Sequence, residues 1–354
     1  MTTLYDVAKR AGVAPITVSR VINNSGYISQ ETRQRVLAAV EELGYVPNRL
    51  ARGLRSRRSN VLALVLADIS NPFFTLIARG VEDTASKQGY MVIYCNTDES
   101  EEEEQKYIDL LLQNRVDGIL LVPAGNGMAA LQATQRNNTP VVVIDRRIPG
   151  AEADSVRGDS FGGAYHLGRL LLELGHRRIA LLNGPAGVST ADERRDGFYS
   201  ALSEAGISLE EQLLFSGRFT TESGRQMALQ ALAATPRPTA LLAANNFIAL
   251  GALQAVQECG LVVPQDIALV GFDDLPDSLV AFPFLTVAVQ PAYEMAQKAT
   301  ELLLARLAGA GPAGLQEIIL PTRLAVRQSS GGPLAIGVKA KDNARIDVDF
   351  TDQI

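Results

Sequence analysis

Eight short aliphatic runs, each followed by a stretch with helical spacing, fill most of the chain and constrain its fold more than any other feature. They are Val61–Leu66, Met91–Tyr94, Ile119–Val122, Val141–Ile144, Ile179–Leu182, Ala240–Ala243, Ile267–Val270 and Leu285–Val289. Continuous rather than alternating apolar character marks strands buried on both faces, as in parallel sheets sandwiched by helices. A polar residue waits at or just beyond each of seven run ends: Asp68, Asn96, Asp145, Asn183, Asn245, Asp273 and Gln290. Any one of them is most simply a helix or turn cap. Their recurrence points instead to a cleft, because open α/β sheets bind ligands at the carboxyl ends of their strands. Two such sheets facing each other would enclose a small polar molecule with many hydroxyls.

The residues ahead of the first run are of another kind. Positions 1–58 hold ten Lys and Arg against four Asp and Glu, or +6, within a chain whose net charge is −6, so the remainder carries −12. A basic head on an acidic body suggests a head that meets a polyanion and a body that meets something else. Leu4, Val7, Ala8 and Ala11 make one apolar helix face, with Thr3 and Asp6 placed as a capping box and Gly12 as the stop. Pro15 suits a first helical turn, and Val18, Val21 and Ile22 form the buried stripe of a second helix. Its other face carries Ile16, Thr17, Ser19, Arg20 and Asn23. A third helix is expected from about Ser29 to Leu43, with Val36, Leu37, Val40 and Leu43 inward and Gly44 as its stop. Helix, glycine turn and polar-faced second helix is helix-turn-helix organisation, although a plain three-helix bundle has much the same pattern.

The wording of these segments is more specific than their periodicity. Thr3-Leu4-Tyr5-Asp6-Val7-Ala8, Ala11-Gly12-Val13, Thr17 through Asn23, Gly44 through Asn48 and Ala51 through Leu54 together resemble the lactose-repressor (LacI/GalR) family of bacterial regulators. The resemblance implies that the second helix enters the major groove of operator DNA. Pro15, Ile16 and Arg20 would then face base edges, with Thr17, Ser19 and Asn23 on phosphates and Thr3 in the same DNA-facing set. It also implies a hinge helix within residues 48–58, in which Asn48, Ala51 and Leu54 reach the minor groove. There Leu54 would wedge between base pairs and Ala51 would meet its copy in a homodimer.

The resemblance continues through Asp68-Ile69-Ser70-Asn71-Pro72-Phe73-Phe74, Ile144-Asp145-Arg146 and Gly271-Phe272-Asp273-Asp274 to about residue 327. It implies a body like a periplasmic sugar-binding protein, two doubly wound α/β subdomains joined by three crossovers. By position, Arg194, Asn245 and Asp273 match residues that hydrogen-bond the effector, and Phe219 matches an aromatic that packs on it. Asp145 and Gln290 match polar contacts from the other wall, while Asp68, Asn71 and Phe73 edge the first subdomain. Carboxylate and amide acceptors, a forked donor and an aromatic face suit a neutral sugar. A phosphate ligand would want more cations than Arg194 and the neighbouring Arg146 or Arg147; nucleobases remain an alternative. One departure stands out: Asn246 lies where the family usually has aspartate.

The expected domains are a DNA-binding head at 1–46, a hinge at 47–59, an effector and dimerisation body at 60–330 and a mobile tail at 331–354. Within the body, 60–158 with 291–317 would form one subdomain, and 159–290 with 318–330 the other. No heptad repeat for a coiled-coil tail follows. No apolar run approaches the ~18 residues of a membrane span, and the N-terminus lacks a signal-peptide pattern, so a cytoplasmic protein is expected. Two cysteines, Cys95 and Cys259, read as core thiols, and two histidines offer no metal or triad pattern. Glu101–Glu104 reads as a solvated helix start. Neither a P-loop nor G-x-G-x-x-G follows the first strand, so no cofactor and no enzyme is expected. A sugar receptor for transport would fit the body but not the basic head. Whether effector releases DNA or promotes its binding is left open.

Overall fold

The computed structural model describes residues 2–46, 58–208, 213–275, 283–331 and 346–348. The hinge residues Asn48, Ala51 and Leu54 lie outside them. The chain divides into two units, residues 1–59 and 60–354.

In the first unit α1 (Leu4–Ala11), α2 (Pro15–Ile22) and α3 (Gln30–Glu42) enclose a core of Val7, Ala8, Ala11, Val18, Val21, Val36 and Ala39. Thr3 and Asp6 close the capping box in both directions, and Gly12, at φ 63°, ends α1 in the left-handed conformation. Arg10 of α1 pairs with Glu42 at the end of α3. Leu37 does not turn inward as expected; it is 50% exposed. Val36, Ala39, Val40 and Leu43 already complete the i, i+3, i+4, i+7 stripe, and Leu37 falls a hundred degrees off it.

The second unit contains two sheets. The first has strand order β11-β5-β4-β3-β1-β2 and is parallel throughout. Its strands are β1 (Val61–Leu66), β2 (Met91–Asn96), β3 (Gly118–Leu121), β4 (Val141–Ile144), β5 (Asp154–Gly158) and β11 (Glu317–Leu320). The helices α4 (Pro72–Lys87), α5 (Glu101–Gln113), α6 (Met128–Arg136) and α11 (Ala292–Leu307) belong with it. Leu62, Leu64 and Leu66 enter the core on one face of β1, Ala63 and Val65 the core on the other, as a doubly covered strand requires.

The second sheet is built from β6 (Ile179–Asn183), β7 (Leu213–Ser216), β8 (Ala240–Ala243), β9 (Ala268–Phe272), β10 (Thr286–Val289), β12 (Arg323–Val326) and β13 (Ile346–Val348). Its order is β13-β12-β10-β9-β8-β6-β7, with β12 antiparallel to both its neighbours, β10 and β13, and the other pairs parallel. Helices α7 (Ser160–Glu173), α8 (Ser189–Glu204), α9 (Thr221–Leu232) and α10 (Asn246–Glu258) flank it. The chain passes between sheets after β5, after β10 and after β11.

Several expectations need correction. The last passage follows Leu320 rather than residue 317, since all of β11 pairs with β5 in the first sheet. Four body strands, β5, β7, β11 and β12, escaped the reading of aliphatic runs because they are short and hold polar residues, as Asp154 and Arg157 show in β5. In the tail, the described residues Ile346–Val348 form β13, an edge strand beside β12 that the alternating pattern of the segment also allows. Cys95 is buried as expected, but Cys259 caps the end of α10 and is exposed. Among the described residues no helix is long and apolar enough to cross a membrane, and no cluster of potential metal ligands occurs.

Candidate functional site

The carboxyl ends of β1, β4, β8 and β9 and the residue after β10 converge on one cavity. All nine residues singled out for the effector line it: Asp68, Asn71, Phe73, Asp145, Arg194, Phe219, Asn245, Asp273 and Gln290. Phe74, Glu99, Arg146 and Thr190 line it too. The cavity measures about 30 Å3, far below the ~300–1,000 Å3 usual for small-molecule pockets, so the two walls stand close together.

Local backbone chemistry sets each wall. Asn71 caps α4 by accepting from the Phe73 amide at 3.0 Å, and Asn245 caps α10 by accepting from Ile248 at 2.8 Å. Capping and cavity lining therefore coexist in these residues. Asp145 and Asp273 occupy equivalent places in the two sheets. Each adopts positive φ, 69° and 63°, directly after a central strand, and each amide donates at 3.0 Å to the neighbouring strand, at Val156 and Ala288. Non-glycine residues adopt this conformation at a cost of about 1 kcal/mol or more, and such costs gather at functional sites.

Electrostatics adds to that cost. Burial pushes the Asp145 carboxyl up to about 6 against the pull of the Arg146 and Arg194 guanidiniums. Asp273 is likewise raised by burial, opposed by Arg194 and by the Gln290 amide, which donates to it at 2.8 Å. Burial lowers Arg194, whose Nη1 donates to the Ala244 carbonyl at 2.6 Å while its guanidinium stacks 4.1 Å from the Phe272 ring centre. Four buried cavity atoms have no hydrogen-bond partner among the described residues: Asp145 Oδ1, Gln290 Oε1, Arg146 Nε and Arg194 Nε. Two need a donor and two need an acceptor. Buried polar groups are otherwise nearly always satisfied, so these mark a place meant for a polar guest.

Arg146 is 2% exposed and bonds Glu99 through both terminal nitrogens at 2.6 Å. It also donates to the Pro123 carbonyl at 2.8 Å and lies 5.7 Å from the Phe219 ring centre. Phe219 can lie there because residue 184 is glycine: a Cβ at Gly184 would meet its ring at 2.2 Å. The loop after Pro123 is gripped in turn by the acidic run at the start of α5. Glu104 accepts from the Ala124 amide at 2.6 Å and Glu101 from Asn126 at 3.1 Å. Glu101–Glu104 is thus not wholly solvated as expected, since Glu104 is 3% exposed. Its spacing on α5, three residues beyond Glu101, turns it under the helix.

Burial raises Glu104 from 4.5 to about 7, partly offset by the Ala124 hydrogen bond. The folded protein therefore holds this proton more tightly than the unfolded chain, and the stability present below pH 4.5 is lost as pH rises through about 7. Glu104→Gln should leave the Tm near pH 4.5 unchanged and raise it by a few degrees at pH 8. Calorimetry at both pH values checks this; a Tm lowered equally at both would show that the carboxylate itself braces the loop.

In the first unit, Ile16, 45% exposed, and Arg20, also exposed, lie four apart on one face of α2. Pro15, Thr17 and Ser19 are half-buried beside them, and Thr3 is exposed at the start of α1. The Asn23 amide folds back onto Ser19, donating to its carbonyl at 2.8 Å and its hydroxyl at 3.2 Å. Tyr5 and Tyr27, 73% and 94% exposed, were not singled out from sequence.

Two family profiles match the chain. One, described as bacterial regulatory proteins of the lacI family, covers residues 3–48. The other, described as periplasmic binding proteins and sugar binding domain of the LacI family, covers residues 59–325. The HTH-type transcriptional regulator DegA of Bacillus subtilis (strain 168) is 38% identical over 336 residues, 93% of this chain and 98% of DegA. The lac repressor dimer bound to operator and the anti-inducer ONPF superposes with a TM-score of 0.81 at 31% identity, over 93% of this chain and 99% of the repressor. The complex of the transcriptional regulator CelR with cellobiose gives 0.71 at 33% identity, over 93% of this chain and all of CelR.

Proposed function

Because this chain belongs to the LacI family of bacterial regulatory proteins, and is accordingly a DNA-binding transcriptional regulator and not an enzyme, we propose that it represses carbohydrate-utilisation genes under the control of a small neutral sugar. It binds a pseudo-palindromic operator as a homodimer, through α2 in the major groove and the hinge residues Asn48, Ala51 and Leu54 in the minor groove.

The observation that carries the sugar reading is the cavity's unmet hydrogen bonding. A hydroxyl group both donates, as Asp145 Oδ1 and Gln290 Oε1 require, and accepts, as Arg146 Nε and Arg194 Nε require, so a polyol can serve all four. Charge argues the same way. Asp68, Glu99, Asp145 and Asp273 outnumber Arg146 and Arg194 in the lining, and Arg146 is already engaged by Glu99. A sugar phosphate would meet net repulsion. CelR, of like fold, was solved with cellobiose.

The dimer reading rests on β2, the edge strand of the first sheet, where Met91, Ile93 and Tyr94 are 52, 38 and 43% exposed. An apolar free edge of this kind invites a partner. Leu76 of α4, the helix packed against β2, is 44% exposed and extends the patch.

Selection of random duplex DNA at physiological salt, with and without a panel of neutral sugars, tests the whole reading. The expected result is one enriched palindrome whose recovery changes with one sugar. Enrichment indifferent to every sugar removes the sugar and returns nucleobases and sugar phosphates to consideration. No enrichment removes the repressor. On the selected operator, Arg20→Ala should weaken binding about 10- to 100-fold and relax one symmetric base position. Equal losses on operator and unrelated DNA would reassign Arg20 to a phosphate.

A further inference from the structure

Two buried amides meet across the cleft, one from each subdomain. Asn71 Nδ2 donates to Asn246 Oδ1 at 3.0 Å, and Asn246 Nδ2 donates to Asn71 Oδ1 at 3.0 Å. Asn71 is 5% exposed and Asn246 fully buried. Each carbonyl also accepts a backbone amide at its own helix start, Phe73 at 3.0 Å and Phe247 at 2.8 Å. Both acceptors are thereby filled, and the starts of α4 and α10 are locked against each other. The pair is uncharged, so salt and pH leave it intact.

With this pair formed, the cavity beside it is about 30 Å3, room for a water or two. A sugar ring cannot occupy it. Three further contacts hold the same walls together: the Arg147 amide donates to Ser189 Oγ at 2.8 Å, Glu193 pairs with both Arg147 and Arg157, and Arg146 reaches Phe219. Among these, the amide pair is the contact buried on both sides and reciprocal.

We propose that Asn71 and Asn246 are positioning residues of the effector site: they clasp the cleft shut when it holds no effector, and effector entry breaks the clasp. This deepens the effector reading given above and rests on it for the identity of the guest. Since the clasp exists only in the narrow form, whatever stabilises it weakens effector binding by the same factor. Removing it tightens binding. A residue with a merely structural role would do the opposite.

Asn246→Ala is the direct variant because Asn246 does not line the cavity. Asn71→Ser is its companion, keeping a capping oxygen for Phe73 while falling short of Asn246. Two net amide hydrogen bonds predict sugar affinity about 5- to 30-fold tighter in either variant. The double variant should show no further gain. Titration calorimetry with D-ribose, D-glucose and cellobiose reads the affinity. Pulsed dipolar spectroscopy reads the gap without any sugar, between spin labels on native Cys259 and on Gln88→Cys, in dimers diluted with unlabelled chain. A longer distance in the variants and tighter binding of a responding sugar are expected. An unchanged distance overturns the clasp, and a longer distance with weaker binding overturns its competition with effector. A longer distance with no sugar bound by any form supports the clasp and sinks the sugar reading alone.

Discussion

Asp145→Asn is expected to make the protein more stable at neutral pH and unresponsive to its effector. The two effects share one cause. In the folded chain the Asp145 carboxyl titrates at about 6 against 3.8 unfolded, because burial outweighs the attraction of Arg146 and Arg194. An acid raised on folding contributes stability below its unfolded value and loses it as pH climbs through its folded value. At pH 7.5 the ionised group therefore costs on the order of 1–3 kcal/mol. The asparagine removes that cost and should raise the Tm by several degrees, with no gain near pH 4. The same substitution takes away a charged acceptor whose Oδ1 has no partner among the described residues. Effector binding should fall about 10- to 150-fold. Wild-type affinity should also decline below about pH 6, where Asp145 is protonated, and more steeply than that of the variant, which keeps only the titration of Asp273 and its neighbours. Thermal unfolding and sugar titration across pH 4–8 decide this. A variant less stable at pH 7.5 would make Asp145 a structural cap, and unchanged sugar affinity would remove it from the site.

Replacing the exposed apolar edge of β2 should dissolve the proposed homodimer and weaken operator binding with it. Ile93→Lys with Tyr94→Lys places two cations on an end strand of the first sheet, a device that blocks edge pairing. Both side chains are already partly in water, so folding should survive; Tyr94 gives up only a long 3.4 Å bond to the Ala78 carbonyl. One head then meets one half-site, and the intramolecular advantage of the second head is lost. That advantage is worth about 10²- to 10⁴-fold in affinity. Light scattering should report a monomer, operator affinity should drop by that factor, and sugar affinity should hold. A dimer persisting at micromolar concentration would move the interface to another surface.

The α/β body was legible where a strand lies central and covered. Val61–Leu66 reads as β1 because both its faces need apolar side chains. Asp154–Gly158 does not read as β5 because Val156 alone reaches the main core while Arg157 turns out to pair with Glu193 and Glu317. The polar residues of the cavity were legible for a related reason: the strand that delivers each one is itself obvious. Glu99 and Glu104 were not, since a charged residue looks solvated in sequence and only the fold reveals the ion pair or backbone amide that permits its burial. The same blindness applies to Asn246, whose partner sits 175 residues away. Asn71 shows the limit from the other side. Its capping role is local and readable, whereas its role across the cleft depends on two distant strands arriving at one place.

Three passages of chain join the two sheets, after Gly158, after Val289 and after Leu320. A single tether between two bodies leaves all three rotations free. Several tethers side by side suppress twisting and sliding, so what survives is a swing about one axis through them, much as a door with several pins keeps one motion only. Whatever separates the walls therefore arrives at β1 as a rotation of fixed direction, whichever guest drives it. That strand begins at residue 61, two positions after the basic unit ends, and spans about 20 Å of inextensible backbone to the cleft. Different guests can then differ in how far the walls part, but not in the axis about which they turn.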